Sequence, residues 1–76
     1  MFDWPATGGW HITPSDYANF KKDARSIYVG VSGDIHLMAT DSSIFTLVNV
    51  QVGILAVQCR RIYATGTTAT NLVGLF

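Results

Sequence analysis

Glutamate is absent from this 76-residue sequence, and all five acidic residues are aspartates. Aspartate suits turns and caps, whereas glutamate suits helix faces. Charge of either sign is scarce: five Lys and Arg balance five Asp, for a formal net charge of zero. From Ser26 onward the only charged side chains are Asp34, Asp41, Arg60 and Arg61. Such a chain lacks the basic surface of a protein that binds nucleic acid by neutralising phosphates. A single cysteine, Cys59, excludes an intrachain disulfide. No Cys/His cluster has metal-ligand spacing, so no metal or cofactor is expected. No apolar run approaches the length of a membrane span, and no membrane partner is expected. The opening Met1-Phe2-Asp3-Trp4-Pro5 has neither a basic region nor a continuous apolar run. We therefore expect no secretory signal and synthesis in a reducing cytosol. So short a chain has a marginal core. With disulfides and metals excluded, oligomerisation is the remaining source of stability.

What the sequence does contain is a sheet-like pattern. Its most telling stretch is the last seventeen residues, Arg60 to Phe76. Here β-branched and aromatic residues flank a small hydroxyl-rich connection, which reads as strand, tight loop and strand. The chain stops on Leu-Val-Gly-Leu-Phe, so this end is expected to be tied into a sheet or a partner. Leu72 and Phe76 fall on one face of the last strand, with Val73 and Leu75 on the other. One face should meet the core and the other a neighbour. Gly66 is expected at positive φ. Thr67, Thr68 and Thr70 are expected to hold the loop by bonding their own backbone.

Residues 1–25 read as an extended arm and residues 26–76 as a β domain. Gly and Pro punctuate the arm without regular period. Its aromatics Phe2, Trp4 and Trp10 should pack on the sheet or on a neighbouring subunit, unless the segment is a loose leader. Thr13-Pro14-Ser15-Asp16 suggests at most one helical turn, with Tyr17 and Phe20 on a shared face. Lys21, Lys22 and Arg25 read as a solvated run rather than an anion site.

Strict alternation begins at Ser26, with Ile27, Val29 and Val31 on one side and Tyr28 on the other. Ser32-Gly33-Asp34 reads as a hairpin turn, followed by Ile35, Leu37 and Ala39 on one face. A second turn, Asp41-Ser42-Ser43, precedes a strand from Ile44 to Val50. Ile54 to Thr65 is long for one strand, and its apolar phase slips at Arg60-Arg61. One extra residue there, a β-bulge, would restore both halves to the core. The whole predicts an all-β fold, a small sandwich or barrel of five to six antiparallel strands with an extended N-terminal arm.

Residues that carry chemistry do not converge. His11 and His36 have no ligand-type neighbours at recognisable spacing, and Cys59 reads as a buried thiol. Val29-Gly30-Val31-Ser32-Gly33-Asp34 contains two glycines, but no helix follows to complete a phosphate loop. Arg60 and Arg61 point to alternate faces, so one should face inward or into an interface and need a carboxylate, with Asp34 and Asp41 the candidates. Two solvent-facing arginines at the bulge are the other reading. No catalytic constellation emerges, and no enzyme is expected.

Three segments carry a family resemblance. These are Arg25-Ser26-Ile27-Tyr28-Val29-Gly30-Val31-Ser32-Gly33-Asp34-Ile35, then Gly53-Ile54-Leu55-Ala56-Val57-Gln58-Cys59-Arg60-Arg61-Ile62, and the end from Ala64 to Phe76 with its Gly66-Thr67-Thr68-Ala69 core. Across about residues 25–76 the order of these motifs resembles the small spike base proteins of tailed phages and gene transfer agents. The leader departs from that family in being dominated by Phe2, Trp4 and Trp10. The resemblance implies a non-enzymatic structural virion protein on the capsid surface, made in the bacterial host cytoplasm. It implies a homo-oligomer, preferably a pentamer, with a major capsid protein and a spike or fibre protein as partners. Expected contact residues are Phe2, Trp4, Trp10, Arg60, Arg61, Leu72, Leu75 and Phe76. A capsid decoration (cement) protein is the alternative, and a small carbohydrate-binding module stacking sugars on Trp4 or Trp10 is another.

Overall fold

The structure is a computed structural model, and it describes residues 8–76. Seven strands are present among these residues: β1 (Gly9–His11), β2 (Ser26–Val31), β3 (Gly33–Ala39), β4 (Ile44–Val50), β5 (Gly53–Leu55), β6 (Cys59–Ile62) and β7 (Thr70–Leu75). They form two antiparallel sheets, one of order β1-β7-β2-β5 and one of order β4-β3-β6. The all-β fold expected from alternation is thus what the chain adopts, with more strands than the five or six anticipated. Ile27, Val29 and Leu72 from the first sheet meet Ile35, Leu37, Cys59 and Ile62 from the second in a buried core. This is the two-layer solution by which sheets with one apolar face exclude water.

The connections differ from those the sequence suggested. Ser32-Gly33-Asp34 does not close a hairpin, because β2 and β3 belong to different sheets. The C-terminal segment is likewise not a hairpin: β6 and β7 lie in opposite sheets, and residues 63–69 cross between them. The long strand Ile54 to Thr65 is split for the same reason. Its first part, β5, pairs with β2, and its second, β6, pairs with β3. A tight turn in which Val57 N–H donates to the Leu55 carbonyl (2.9 Å) separates them. Crossing between layers at each of these points lets inward side chains on both sides of a turn reach one core. Local alternation cannot distinguish that from a hairpin.

The phase slip at Arg60-Arg61 is present as a break in register. Met38 faces Arg61, but Ala39 faces Cys59, leaving Arg60 as the additional residue. Both Cys59 and Ile62 are consequently buried although they are three residues apart. A matching shift occurs between β3 and β4. There Asn49 adopts positive φ, and its N–H is held by the Asp34 carboxylate at 3.0 Å. The turn expected at Asp41-Ser42-Ser43 forms, with Ser43 N–H donating to the Asp41 carboxylate at 2.9 Å.

The described part of the arm is hydrogen-bonded into the sandwich. β1 extends the first sheet by pairing with β7, and Ile12 N–H donates to the Leu72 carbonyl at 2.9 Å. Residues 13–25 form no helix. Their amides instead serve the β6 edge: Ser15 donates to the Ile62 carbonyl (2.9 Å) and Phe20 to that of Arg60 (2.7 Å), while Ala24 pairs with Cys59. Edge carbonyls that would otherwise lack partners take donors a helical turn would have used internally. Ser15 Oγ still accepts from Tyr17 N–H, but Tyr17 is 91% exposed while Phe20 packs inward, so the two share no face.

Candidate assembly surfaces

The C-terminal crossing is built by its threonines, in a way the sequence reading did not foresee. Thr68 Oγ1 accepts from Asp34 N–H at 2.8 Å, and Thr67 Oγ1 accepts from His36 N–H at 3.0 Å. In return, Thr68 N–H donates to the Asp34 carbonyl at 2.9 Å. These hydroxyls therefore bond β3 rather than their own loop, and they carry its ladder beyond the end of β6. Gly66 has φ of +91°, as its position between strand and loop suggested. A Cβ there would also press on His36 at 3.3 Å. Asp16 clips the loop from the arm side: its carboxylate accepts from Thr65 N–H (2.9 Å) and Thr65 Oγ1 (2.8 Å). These bonds, the backbone one first, hold the Asp16 carboxyl below its ordinary value.

Trp10 and Phe76, both expected contact residues, are brought together. Their ring centroids lie 5.9 Å apart, and Phe20 meets Trp10 edge-on at 5.3 Å. Gly74 provides the floor on which the Trp10 indole sits. Phe76 is further held by reciprocal backbone bonds with Gly8 (3.2 and 3.0 Å) and by the Lys22 ammonium 4.1 Å from its ring. Leu72 lies in the core, while Leu75 is half-buried beside Gly9. Phe2 and Trp4 lie outside the described residues.

Arg60 and Arg61 are both half-buried, and their hydrogen bonds do not end on carboxylates. Arg60 donates to the Thr40 carbonyl. Arg61 donates to Asn19 Oδ1 at 2.8 Å and to the Asp16 carbonyl at 3.2 Å, and its guanidinium lies over the Tyr63 ring. The anticipated carboxylates are engaged elsewhere: Asp34 holds the β4 bulge and Asp41 holds its own turn. Both arginines thus fasten the arm and the β3–β4 turn to β6. The Cys59 thiol is buried, which pushes its pKa up to about 12.

A surface that sequence reasoning missed lies on the opposite flank. β4 is an edge strand of the second sheet, β5 is an edge strand of the first, and Gln51-Val52 join them. Large apolar side chains face solvent here, with Val48 67% exposed, Ile54 59% and Val52 57%. The edge strands border a cleft of about 370 Å³. No charged side chain occurs from Ser42 to Cys59. Natural monomers protect edges with charges, proline, bulges or covering segments; among the described residues this flank has the β4 bulge but no charge, proline or covering segment. Its sequence signal was the strand at Ile44 to Val50, apolar on both faces. Among the described residues no group of His, Cys, Asp and Glu is placed to hold a metal ion.

The described residues thus form a two-sheet sandwich with an uncharged apolar flank. Among solved structures, the chain is similar to one with a TM-score of 0.84 and 35% sequence identity, over 95% of this chain and 84% of that one. It is a chain from the capsid of a native gene transfer agent particle, computed with C5 symmetry. No protein-family profile and no curated protein matches. At that identity over nearly the whole length, this chain belongs to the capsid-associated structural proteins of phage-like gene transfer agent particles.

Proposed function

We propose that this chain forms the base of a capsid-surface spike or fibre, as a homo-oligomeric ring seated on the shell and made in the bacterial cytoplasm. The observation that carries this reading is the similarity, in sequence and fold, to a chain of a gene transfer agent capsid. The motifs at Arg25 to Ile35, Gly53 to Ile62 and Ala64 to Phe76 point to the spike base family. The role is non-catalytic: the chain binds the major capsid protein on one side and a fibre protein on another. A pentamer suits a five-fold vertex, since cyclic rings close without leftover interfaces. A cement protein spread over the whole shell is the second reading, since the similar chain comes from a capsid. The carbohydrate-binding alternative is weakened by Trp10, whose ring is committed to Phe20, Phe76 and Gly74.

A density map of particles containing this chain tests the proposal. Five copies around each fibre-bearing vertex are expected. Copies on every capsomer, with shells that burst when the chain is deleted, would establish the cement reading instead. Particles lacking the chain should keep intact shells and lose their fibres.

A further inference from the structure

We infer that two copies of the free chain join edge to edge through β4, antiparallel about a two-fold axis at Thr46, so that the β6-β3-β4 sheet of one continues into that of the other. The backbone leaves β4 open for this. His36 is engaged on the far side of β3, its N–H by Thr67 Oγ1 at 3.0 Å and its carbonyl by Tyr63 N–H at 2.8 Å. By alternation β3 turns the backbone groups of Ile35, Leu37 and Ala39 toward β4, where they face Leu47, Phe45 and Ser43. The amides and carbonyls of Ile44, Thr46 and Val48 therefore point to the free edge, and among the described residues no segment covers them. Such a row is a template for another strand. Length selects which one. The other open edges, β1 and β5, have three residues each, and the outer edge of β6 is covered by residues 13–25. Among the edges of this chain, only β4 of a second copy matches the seven residues of β4.

The side chains agree with one register. From Ser43 to Asn49 the polarity is symmetric about Thr46: polar, two apolar, polar, two apolar, polar. With Thr46 opposite its own copy, Ile44 meets Val48 of the partner copy on one face, and Phe45 meets Leu47 on the other. Ser43 meets Asn49 at the ends. The same register sets the outward groups of Ile44, Thr46 and Val48 opposite one another, as pairs that exchange both backbone bonds. Threonine across from threonine is itself a favourable cross-strand pair. A slip of one residue would oppose outward groups to inward ones, and a slip of two would set Thr46 against Ile44 or Val48. No charge occurs from Ser42 to Cys59, so like patches meet without like-charge repulsion. Ile44, Phe45 and Val48, exposed in the single chain, leave water in the pair. The pairing does not rest on the ring proposed above. A cyclic ring joins unlike surfaces and a two-fold axis joins like ones, so the pair is read on the purified chain and the ring on particles.

Sedimentation and disulfide trapping of the purified chain test this. Wild type should show a concentration-dependent dimer. Thr46→Lys sets two like charges opposite each other and should be monomeric where wild type is dimeric. Thr46 is exposed, so the circular dichroism spectrum of that variant should be unchanged. Under mild oxidation Thr46→Cys should crosslink to its own copy, since Cα atoms facing at about 5.5 Å suit a disulfide. Ile44→Cys, about 14 Å from its own copy, should not crosslink to itself but should do so when mixed with Val48→Cys. The native Cys59 is buried and does not compete. A monomer at every concentration would overturn the inference. So would Ile44→Cys crosslinking to itself as readily as Thr46→Cys, because the register would then be wrong. Thr46→Cys that crosslinks to His11→Cys in β1 rather than to itself would overturn the two-fold pair in favour of a head-to-tail contact.

Discussion

Replacing Gly74 with alanine tests how the first strand is held to the last. Gly74 is buried in β7 beneath the indole of Trp10. A methyl group at this position would lie 2.7 Å from Cζ2, 2.8 Å from Cη2 and 2.9 Å from Cε2 of that ring. The ring has little room to yield, since Phe20 stands edge-on at 5.3 Å and Phe76 at 5.9 Å. The backbone cannot retreat either, because Gly74 is paired with Trp10 on one side and with the fully buried Ile27 on the other. Overpacking of this kind costs about 1–3 kcal/mol. Loss of glycine's freedom in the unfolded chain offsets about 0.4–1 kcal/mol. A net destabilisation of about 1–2 kcal/mol follows. A chain of this length has a total stability of about 4–11 kcal/mol. The melting temperature should fall by about 4–16 °C, measured by circular dichroism at fixed protomer concentration. In a Trp4→Phe background, Trp10 emission should shift to longer wavelength as the ring is displaced. With Trp10→Ala also present, Gly74→Ala should cost less, because the methyl then occupies space the ring has left. An unchanged melt with unchanged emission would refute the seating of Trp10 on Gly74.

Three further outcomes are expected. Deleting Leu75 and Phe76 removes the Gly8 pairing and two half-buried apolar side chains. The loss should be below the roughly 2–5 kcal/mol each of fully buried ones, yet a melt at reduced temperature should register it, and an unaltered melt would make the terminus peripheral. The Asp16 carboxyl is lowered in the folded chain, so its stabilisation is present above the unfolded value near pH 4 and is lost as pH falls through the lower folded value. Wild type should therefore exceed Asp16→Asn in melting temperature at neutral pH, and the gap should close in acid; a gap constant with pH would count against the Thr65 clip. Cys59, buried and with its pKa raised to about 12, should stay unreactive toward a disulfide reagent at pH 8 until the chain is denatured. Rapid labelling of the native protein would contradict that burial.

The sequence determined the β class, the faces of β2 and β3, the turn at Asp41, the bulge at Arg60 and the positive φ of Gly66. Each of these is local, following from period-two alternation, the spacing of Cys59 and Ile62, and residues suited to turns. The scarcity of charge is likewise a property of the sequence itself. Only the tertiary structure decided which strands pair. A turn after an alternating strand reads alike whether the chain folds back beside itself or crosses to the facing sheet, so both expected hairpins at Gly33 and Gly66 became crossings. Hydrogen-bond partners across the sandwich were equally illegible. The threonines of the last loop bond β3, some thirty residues away in sequence, and the arginines bond carbonyls and Asn19 rather than aspartates. The β4–β5 flank was visible only as an apolar strand. Its exposure is set by the sheet order, which leaves β4 and β5 at edges on the same side with nothing charged to guard them.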